Sequence, residues 1–97
     1  MTLTEGTNGQ RPTVLVVDDD AILREIIGTN LELGGFNVLS APDGPSALAL
    51  LDDRLPDVVV LDVVMPLMDG YATLGRIRRH ATASHVPVCL LYTSRCV

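Results

Sequence analysis

Two apolar runs that end in acidic residues restrict the fold more than any other feature of this chain. Residues 14–17 and 58–61 are uninterrupted and mostly β-branched, which is typical of strands buried on both faces of a parallel sheet. The first run stops at Asp18 and the second at Asp62. Because the carboxyl ends of parallel strands meet at one edge of a sheet, the two runs predict acidic side chains at that edge.

Helical and extended patterns alternate along the rest of the chain. The later predicted elements are a helix with apolar positions from Ile22 to Leu31 that ends at the Gly34-Gly35 pair, a strand over 36–41, a helix with apolar positions from Ala47 to Leu51 that ends at Pro56, the strand over 58–61, a helix after Asp69 and a strand over 86–91. This order predicts an α/β domain with a parallel sheet and right-handed crossovers. Residues 1–12 are polar and lack a hydrophobic period, so we expect a flexible N-terminal leader before a domain over 13–97.

Composition excludes several classes of protein. The formal net charge is −5 and the chain has no lysine, which argues against direct nucleic-acid binding by this segment. No apolar run approaches the roughly 18 residues needed to cross a membrane, and the N-terminus lacks the pattern of a signal peptide, so a cytoplasmic location is the default expectation. Cys89 and Cys96 have no further Cys or His pair at metal spacing, so neither a disulfide framework nor a zinc site is predicted.

The acidic residues are the strongest candidates for a functional site. In a flavodoxin-like strand order, ligands bind where the first and third strands separate, and this topology brings Asp18, Asp19 and Asp62 into one crevice. Three carboxylates repel one another unless a cation compensates them or some take up protons. Magnesium uses a few carboxylate oxygens and commonly bridges to phosphate, so the crevice suits phosphoryl transfer.

The segments that carry these acids resemble a known family. Residues 14–20 (VLVVDDD) and 61–70 (LDVVMPLMDG) are similar to the first and third strand signatures of bacterial receiver domains, the CheY-like domains of response regulators, and the resemblance runs from about Thr13 to Val88. It implies a flavodoxin-like doubly wound sheet and a non-enzymatic phosphoacceptor in a two-component phosphorelay. A sensor histidine kinase or phosphotransfer protein would donate the phosphoryl group to Asp62.

The same resemblance implies the ligands of the metal ion. Asp18, Asp19, Asp62 and the backbone carbonyl of Val64 match the positions that hold Mg²⁺ in receiver domains. An aspartyl phosphate is a mixed anhydride, so the metal ion would offset charge and orient the incoming group. No feature of the sequence indicates a membrane partner or specifies an oligomeric state.

The end of the chain departs from the family pattern. Receiver domains carry a switch Thr or Ser about five residues after a proline like Pro87, where this chain has Tyr92, and only a bulge in the strand would bring Thr93 to that position. The family's fifth strand, its lysine and its last helix would lie beyond Val97. We therefore expect about four of five strands, an exposed fourth strand, a partly uncovered sheet face and marginal stability, and we interpret residues 89–97 as a non-native tail.

Two other functions stay open. A phosphorylation-incompetent pseudo-receiver that acts as an interaction module agrees with the missing lysine and the displaced hydroxyl. A haloacid-dehalogenase-like phosphatase agrees with two acids one residue apart after a strand, Asp18 and Asp20, but Ile22 stands where that motif usually has Thr or Val. A flavin site is weaker still, because the first strand-helix turn is acidic where a phosphate-bearing cofactor needs backbone amides and hydroxyls.

Other polar residues are assigned structural roles. Asp20 and Asp69 are predicted to be the N-caps of the first and third helices, and Asp43 and Asp57 are expected in turns. His80 and His85 are expected at the surface, since neither lies in a motif of a phosphate carrier.

Overall fold

The computed structural model describes residues 11–65, 68–91 and 95–97. The elements in chain order are β1 (Thr13–Val17), α1 (Ala21–Leu33), β2 (Asn37–Ala41), α2 (Gly44–Asp53), β3 (Val58–Leu61), α3 (Gly70–Arg78), β4 (Val88–Leu90) and β5 (Arg95–Cys96). Strands and helices alternate as far as β4, as the apolar patterns predict. Within the described ranges, no helix is long and apolar enough to cross a membrane.

The sheet has the order β2-β1-β3-β4-β5. Its first four strands are parallel, and Val17 of β1 pairs with Ala41 on one side and Leu61 on the other. β1 therefore lies between β2 and β3, and the strand order reverses at β1. This arrangement confirms the predicted flavodoxin-like doubly wound sheet with four parallel strands.

The outer edge of β4 differs from the expectation. β4 was expected to be exposed, but Cys89 and Leu90 pair with Cys96 and Arg95 of the antiparallel strand β5. An antiparallel partner needs only a short connection, and residues 91–94 are long enough for one, whereas a parallel partner needs a full crossover. The expectation of no disulfide is also wrong, because this pairing sets Cys89 opposite Cys96 and the two form a disulfide.

The larger part of the hydrophobic core lies on one face of the sheet. Alternate strand residues point to this face, and the largest of them are fully buried: Leu15, Val17, Val59, Leu61 and Val88. Ala47 and Leu51 of α2 and Ile77 of α3 pack against them. The last residues of β1 and β3 thus belong to the core, which holds the carboxyl ends of both strands in place.

The opposite face is covered only in part. α1 packs on β1 and β2, but Ile22, Leu23 and Ile26 of this helix are exposed, and α1, all of whose residues are described, contains no buried side chain. Val58 and Val60 are half-buried on the same face, whereas Val59 on the core face is fully buried. The expectation of an incompletely covered sheet face is therefore confirmed.

An aspartate caps each helix. Asp20 accepts hydrogen bonds from the amides of α1, Asp43 from the amide of Ser46 in α2, and Asp69 from the amide of Ala72 in α3. Hydrogen bonds from the backbone and side chain of Ser46 lower the pKa of Asp43 below its ordinary value. The caps at Asp20 and Asp69 were predicted, and the structure confirms both.

Candidate metal centre

The ends of β1 and β3 hold two aspartates at equivalent positions. Asp18 and Asp62 each follow directly after the paired residues Val17 and Leu61. The amide of Asp18 donates to the carbonyl of Ala41 at 3.2 Å, and the amide of Asp62 donates to the carbonyl of Val17 at 2.9 Å. The ladder hydrogen bonds therefore continue one residue past the strands, and the backbone of both aspartates is held by the sheet.

Three carboxylates converge at this edge. One carboxylate oxygen from each of Asp18, Asp19 and Asp62 lies within 4.8 Å of the others. Asp18 is buried, Asp62 is half-buried and Asp19 is exposed. The inner side of the cluster is thus buried and its outer side is exposed to solvent, as a ligand-binding site requires.

Backbone amides orient two of these carboxylates. Oδ1 of Asp18 accepts from the amide of Asp20 at 2.9 Å, and Oδ1 of Asp62 accepts from the amide of Val64 at 3.2 Å. The second oxygen of Asp18, Oδ2, is buried and has no hydrogen-bond partner among the described residues. A buried carboxylate oxygen without a donor is costly, so this atom is a ready ligand for a cation.

The electrostatics of Asp18 agree with its geometry. Burial raises the pKa of Asp18 above its ordinary value, and the nearby carboxylates of Asp62 and Asp19 raise it further. The hydrogen bond from the amide of Asp20 acts in the opposite direction and only partly offsets the burial. Without a cation, Asp18 therefore binds a proton more readily than an ordinary aspartate does.

The segment after Asp62 is anchored on both sides of Val64. Val63 and Met65 are buried in the core, whereas the side chain of Val64 is 70% exposed. Val64 therefore lies at the rim of the acidic cluster, which its amide contacts through Asp62. Thr93, the predicted switch hydroxyl, and Tyr92 lie outside the described residues.

Sequence reasoning missed two residues that border the cluster. Nη1 of Arg24 donates to the backbone carbonyl of Asp18 at 2.7 Å, so this guanidinium binds the strand end and not the carboxylates. Helical side chains point toward the helix N-terminus, so an arginine one turn after the cap at Asp20 is a signal that could have been read. Gly70 packs against the backbone of Asp62 and Val63, a tertiary contact with no signal in the sequence beyond a glycine after a cap.

The donor set fits a small divalent cation. Its candidate ligands are oxygens, and backbone amides pre-orient two of the carboxylates. Oδ2 of Asp18 is buried beside them and has no partner in the part of the chain that the structure describes. Magnesium accepts a few carboxylate ligands and keeps several waters, which the open side at Asp19 would admit. Among the described residues, the ring of His80 forms hydrogen bonds. It contacts Asp52 and the turn after α3, and not the acidic cluster.

Comparison with protein families gives a match over most of the chain. The family model described as "Response regulator receiver domain" matches residues 14–95. Among curated proteins, "Probable transcriptional regulator ycf27" of Guillardia theta is 45% identical over 78 residues, which cover 80% of this chain and 30% of that protein. "DNA-binding dual master transcriptional regulator RpaA" of Synechocystis is 35% identical over 80 residues, which cover 82% of this chain and 33% of that protein.

A solved structure shows the same fold. The chemotaxis protein CheY4 of Vibrio cholerae superposes with a TM-score of 0.81 at 31% identity, and the match covers 84% of this chain and 68% of that one. This chain spans about a third of the length of the two curated relatives.

Proposed function

The chain belongs to the response regulator receiver domain family, and we propose that Asp62 is its phosphoacceptor in a two-component phosphorelay that depends on Mg²⁺. The observation that carries the proposal is the buried Oδ2 of Asp18, which has no partner among the described residues and lies beside the carboxylates of Asp19 and Asp62. Asp18, Asp19, Asp62 and the carbonyl of Val64 would hold the metal ion. When bound, Mg²⁺ would compensate the negative charge and orient a phosphoryl group.

Asp62 has the surroundings that a nucleophilic carboxylate needs. The amide of Val64 holds Oδ1, which leaves Oδ2 for attack on phosphorus, and the side chain is only half-buried. Oδ2 would form the new O–P bond while the P–N bond of a phosphohistidine breaks, and the electron pair stays with the imidazole of the donor. The product is an acyl phosphate on Asp62.

The proposed partner is a sensor histidine kinase or a phosphotransfer protein, because a phosphohistidine matches this chemistry. We propose no nucleic-acid contact for this segment, because its formal net charge is −5. Both curated relatives are named as transcriptional regulators, and one is named as DNA-binding. We propose that phosphorylation of this domain controls an output of that kind in the protein to which it belongs.

One sequence observation favours a second candidate, a receiver fold that binds partners without phosphorylation. The position expected for the switch hydroxyl holds Tyr92. A phosphoryl group on Asp62 would then lack the hydroxyl that receives it in receiver domains. Such a domain would bind Mg²⁺ and still fail to accept a phosphoryl group.

A labelling experiment separates the two candidates. The chain is incubated with acetyl phosphate with and without Mg²⁺, and intact mass is followed by treatment with hydroxylamine. We expect a Mg²⁺-dependent, hydroxylamine-sensitive label that Asp62→Asn removes and that Asp53→Asn, a change at an exposed aspartate of α2, retains. Label that persists in Asp62→Asn contradicts the assignment, and Mg²⁺ binding without label supports the second candidate.

A further inference from the structure

The first turn of α3 packs directly on the segment that contains Asp62. Gly70 is buried, and its amide donates to the carbonyl of Val63 at 2.7 Å. A β-carbon on Gly70 would lie 2.5 Å from Cα of Val63 and closer still to the carbonyl oxygen of Asp62. These are backbone atoms, so no change of side-chain rotamer can relieve the overlap. Any other residue at position 70 requires that α3 or the peptide between Asp62 and Val63 move.

We propose that Gly70 is a positioning residue that sets where the carboxylate of Asp62 stands relative to Asp18 and Asp19. This inference rests on the proposed function of the acidic cluster as a magnesium site. It assigns to Gly70 no contact with the metal ion or the phosphoryl group. The glycine acts through the backbone of Asp62.

The two strand ends are held by different backbone hydrogen bonds. The amide of Asp62 is bound to Val17, and the next residue, Val63, is bound to Gly70. Asp18 is held independently, because its amide bonds to Ala41 of β2. A shift of the peptide after Asp62 would therefore move that carboxylate without moving Asp18.

Such a shift matters for the ion that the site suits. Magnesium requires nearly ideal octahedral geometry with oxygen ligands at about 2.0–2.1 Å. A displacement of a few tenths of an ångström at one ligand is large on this scale. The close approach of Gly70 would thus tune metal affinity more than it tunes the stability of the fold.

A second glycine offers a matched control on the other side of the same turn. A β-carbon on Gly44, the first residue of α2, would overlap Oγ1 of Thr73 and lie 3.1 Å from Cβ of Met68. These are side-chain atoms of the first turn of α3 and the residue before its cap, not the backbone of Asp62. Gly44→Ala should therefore disturb the packing of α3 without a direct push on Asp62.

Gly75 supplies the control for the helix itself. A β-carbon there would come no closer than 3.6 Å to Nη1 of Arg79, which is an ordinary contact. Gly75→Ala adds a methyl group to α3 where space allows, and alanine favours the helix more than glycine does. This variant also provides a stabilised background in which Gly70→Ala can be examined.

The test compares Mg²⁺ affinity with stability in the 97-residue chain. Folded-state amide resonances are titrated with MgCl₂, so that a partly unfolded fraction does not alter the fitted affinity, and urea unfolding is measured in parallel. We expect Gly70→Ala, alone and in the Gly75→Ala background, to weaken Mg²⁺ binding by at least about tenfold, the range seen when groups that orient metal ligands are changed. Gly44→Ala should lower stability and keep the affinity within about twofold of the parent chain, and Gly75→Ala should raise stability and keep the affinity.

Three results would overturn the inference. These are a folded Gly70→Ala chain with parental affinity, an equal loss of affinity in Gly44→Ala, and a Gly70→Ala chain that cannot be folded even with Gly75→Ala and an osmolyte. The last would show that the glycine provides stability and not ligand geometry. If the parent chain itself binds no Mg²⁺, or binds it equally well with Asp62→Asn, the proposed function fails instead, so the two failures are distinguishable.

Discussion

Asp18 and Asp62 stand one register step beyond the paired residues Val17 and Leu61, and their carboxylates approach within 4.8 Å. The ladder that forms the core sheet thus forces two acids together at its carboxyl edge. One of them, Asp18, is buried, and its Oδ2 has no hydrogen-bond partner within residues 11–65, 68–91 and 95–97. The fold therefore carries an electrostatic cost at this edge that a proton or a cation relieves.

Removal of one of these charges should stabilise the metal-free protein at neutral pH. Burial raises the pKa of Asp18 above its ordinary value of 3.8, so the folded state binds a proton in a pH window where the unfolded chain does not. Stability contributed by this group is therefore lost as pH rises through that window, and the full cost is present above the folded pKa. Asp18→Asn keeps an oxygen for the amide of Asp20.

Urea unfolding of the two chains across pH checks this expectation. Asp18→Asn should unfold at higher urea concentration than the parent at pH 7 without Mg²⁺, and the two midpoints should converge below about pH 4. Addition of Mg²⁺ should stabilise the parent and not the variant. A variant that is less stable than the parent at pH 7 without Mg²⁺ would contradict the assigned cost.

Metal affinity should depend on pH in the opposite direction. A cation competes with the proton on Asp18, whose pKa is raised by burial and by Asp62, so affinity should rise with pH and level off above the raised pKa. Calorimetry in buffers of different ionisation enthalpy should detect proton release on binding. Asp19→Asn should weaken binding by roughly tenfold or more and leave the pH dependence in place, because Asp18 still titrates. Equal affinity in Asp19→Asn and the parent would remove Asp19 from the ligand set.

The cap of α3 can be separated from the metal site. Oδ1 of Asp69 accepts from the amide of Ala72 at 2.7 Å, and Asp69 is not among the clustered carboxylates. Asp69→Ala should cost about 1 kcal/mol of stability, whereas Asp69→Asn should cost a few tenths, since both Asp and Asn are good caps. Mg²⁺ titration of Asp69→Asn supplies the second readout, and a large loss of affinity there would give Asp69 a role beyond the cap.

The parts of the fold that were predicted correctly depend on local pattern. The runs at 14–17 and 58–61 identify buried parallel strands because nearly every residue is apolar, and the acids that follow must then share an edge. Asp20 and Asp69 were recognised as caps because they precede helical periodicity. Each of these signals is contained in a short segment.

The parts that were missed depend on contacts between distant segments. The pairing of β5 with β4, and the disulfide that follows from it, require knowledge of which edge the chain returns to. The close approach of Gly70 to Asp62 is a property of how α3 crosses the sheet, and the glycine alone does not reveal it. His80 was expected at the surface because it lies in no motif of a phosphate carrier, yet its side chain is only 15% exposed.

The ring of His80 organises the turn after α3. Nδ1 accepts from the amides of Thr82 at 3.1 Å and Ala83 at 3.2 Å, and Nε2 lies 2.8 Å from Oδ1 of Asp52. Because Nδ1 accepts, the hydrogen-bond network assigns the ring proton to Nε2, which donates to Asp52. The side chain of Asp52 is 74% exposed, so water can replace the ring as its partner.

These contacts predict unequal effects at the two ends of one hydrogen bond. His80→Ala leaves two amides without an acceptor next to the buried Ala83, and we expect a loss of about 1–2 kcal/mol in the free energy of unfolding. Asp52→Ala should cost less than about 0.5 kcal/mol, because water can take the place of this exposed carboxylate at Nε2 of His80. Urea unfolding at pH 7.5 measures both, with His85→Ala at an exposed position as the control for loss of a histidine. If Asp52→Ala proved as costly as His80→Ala, the stabilisation would lie in the link between α2 and α3 and not in the turn that the ring holds.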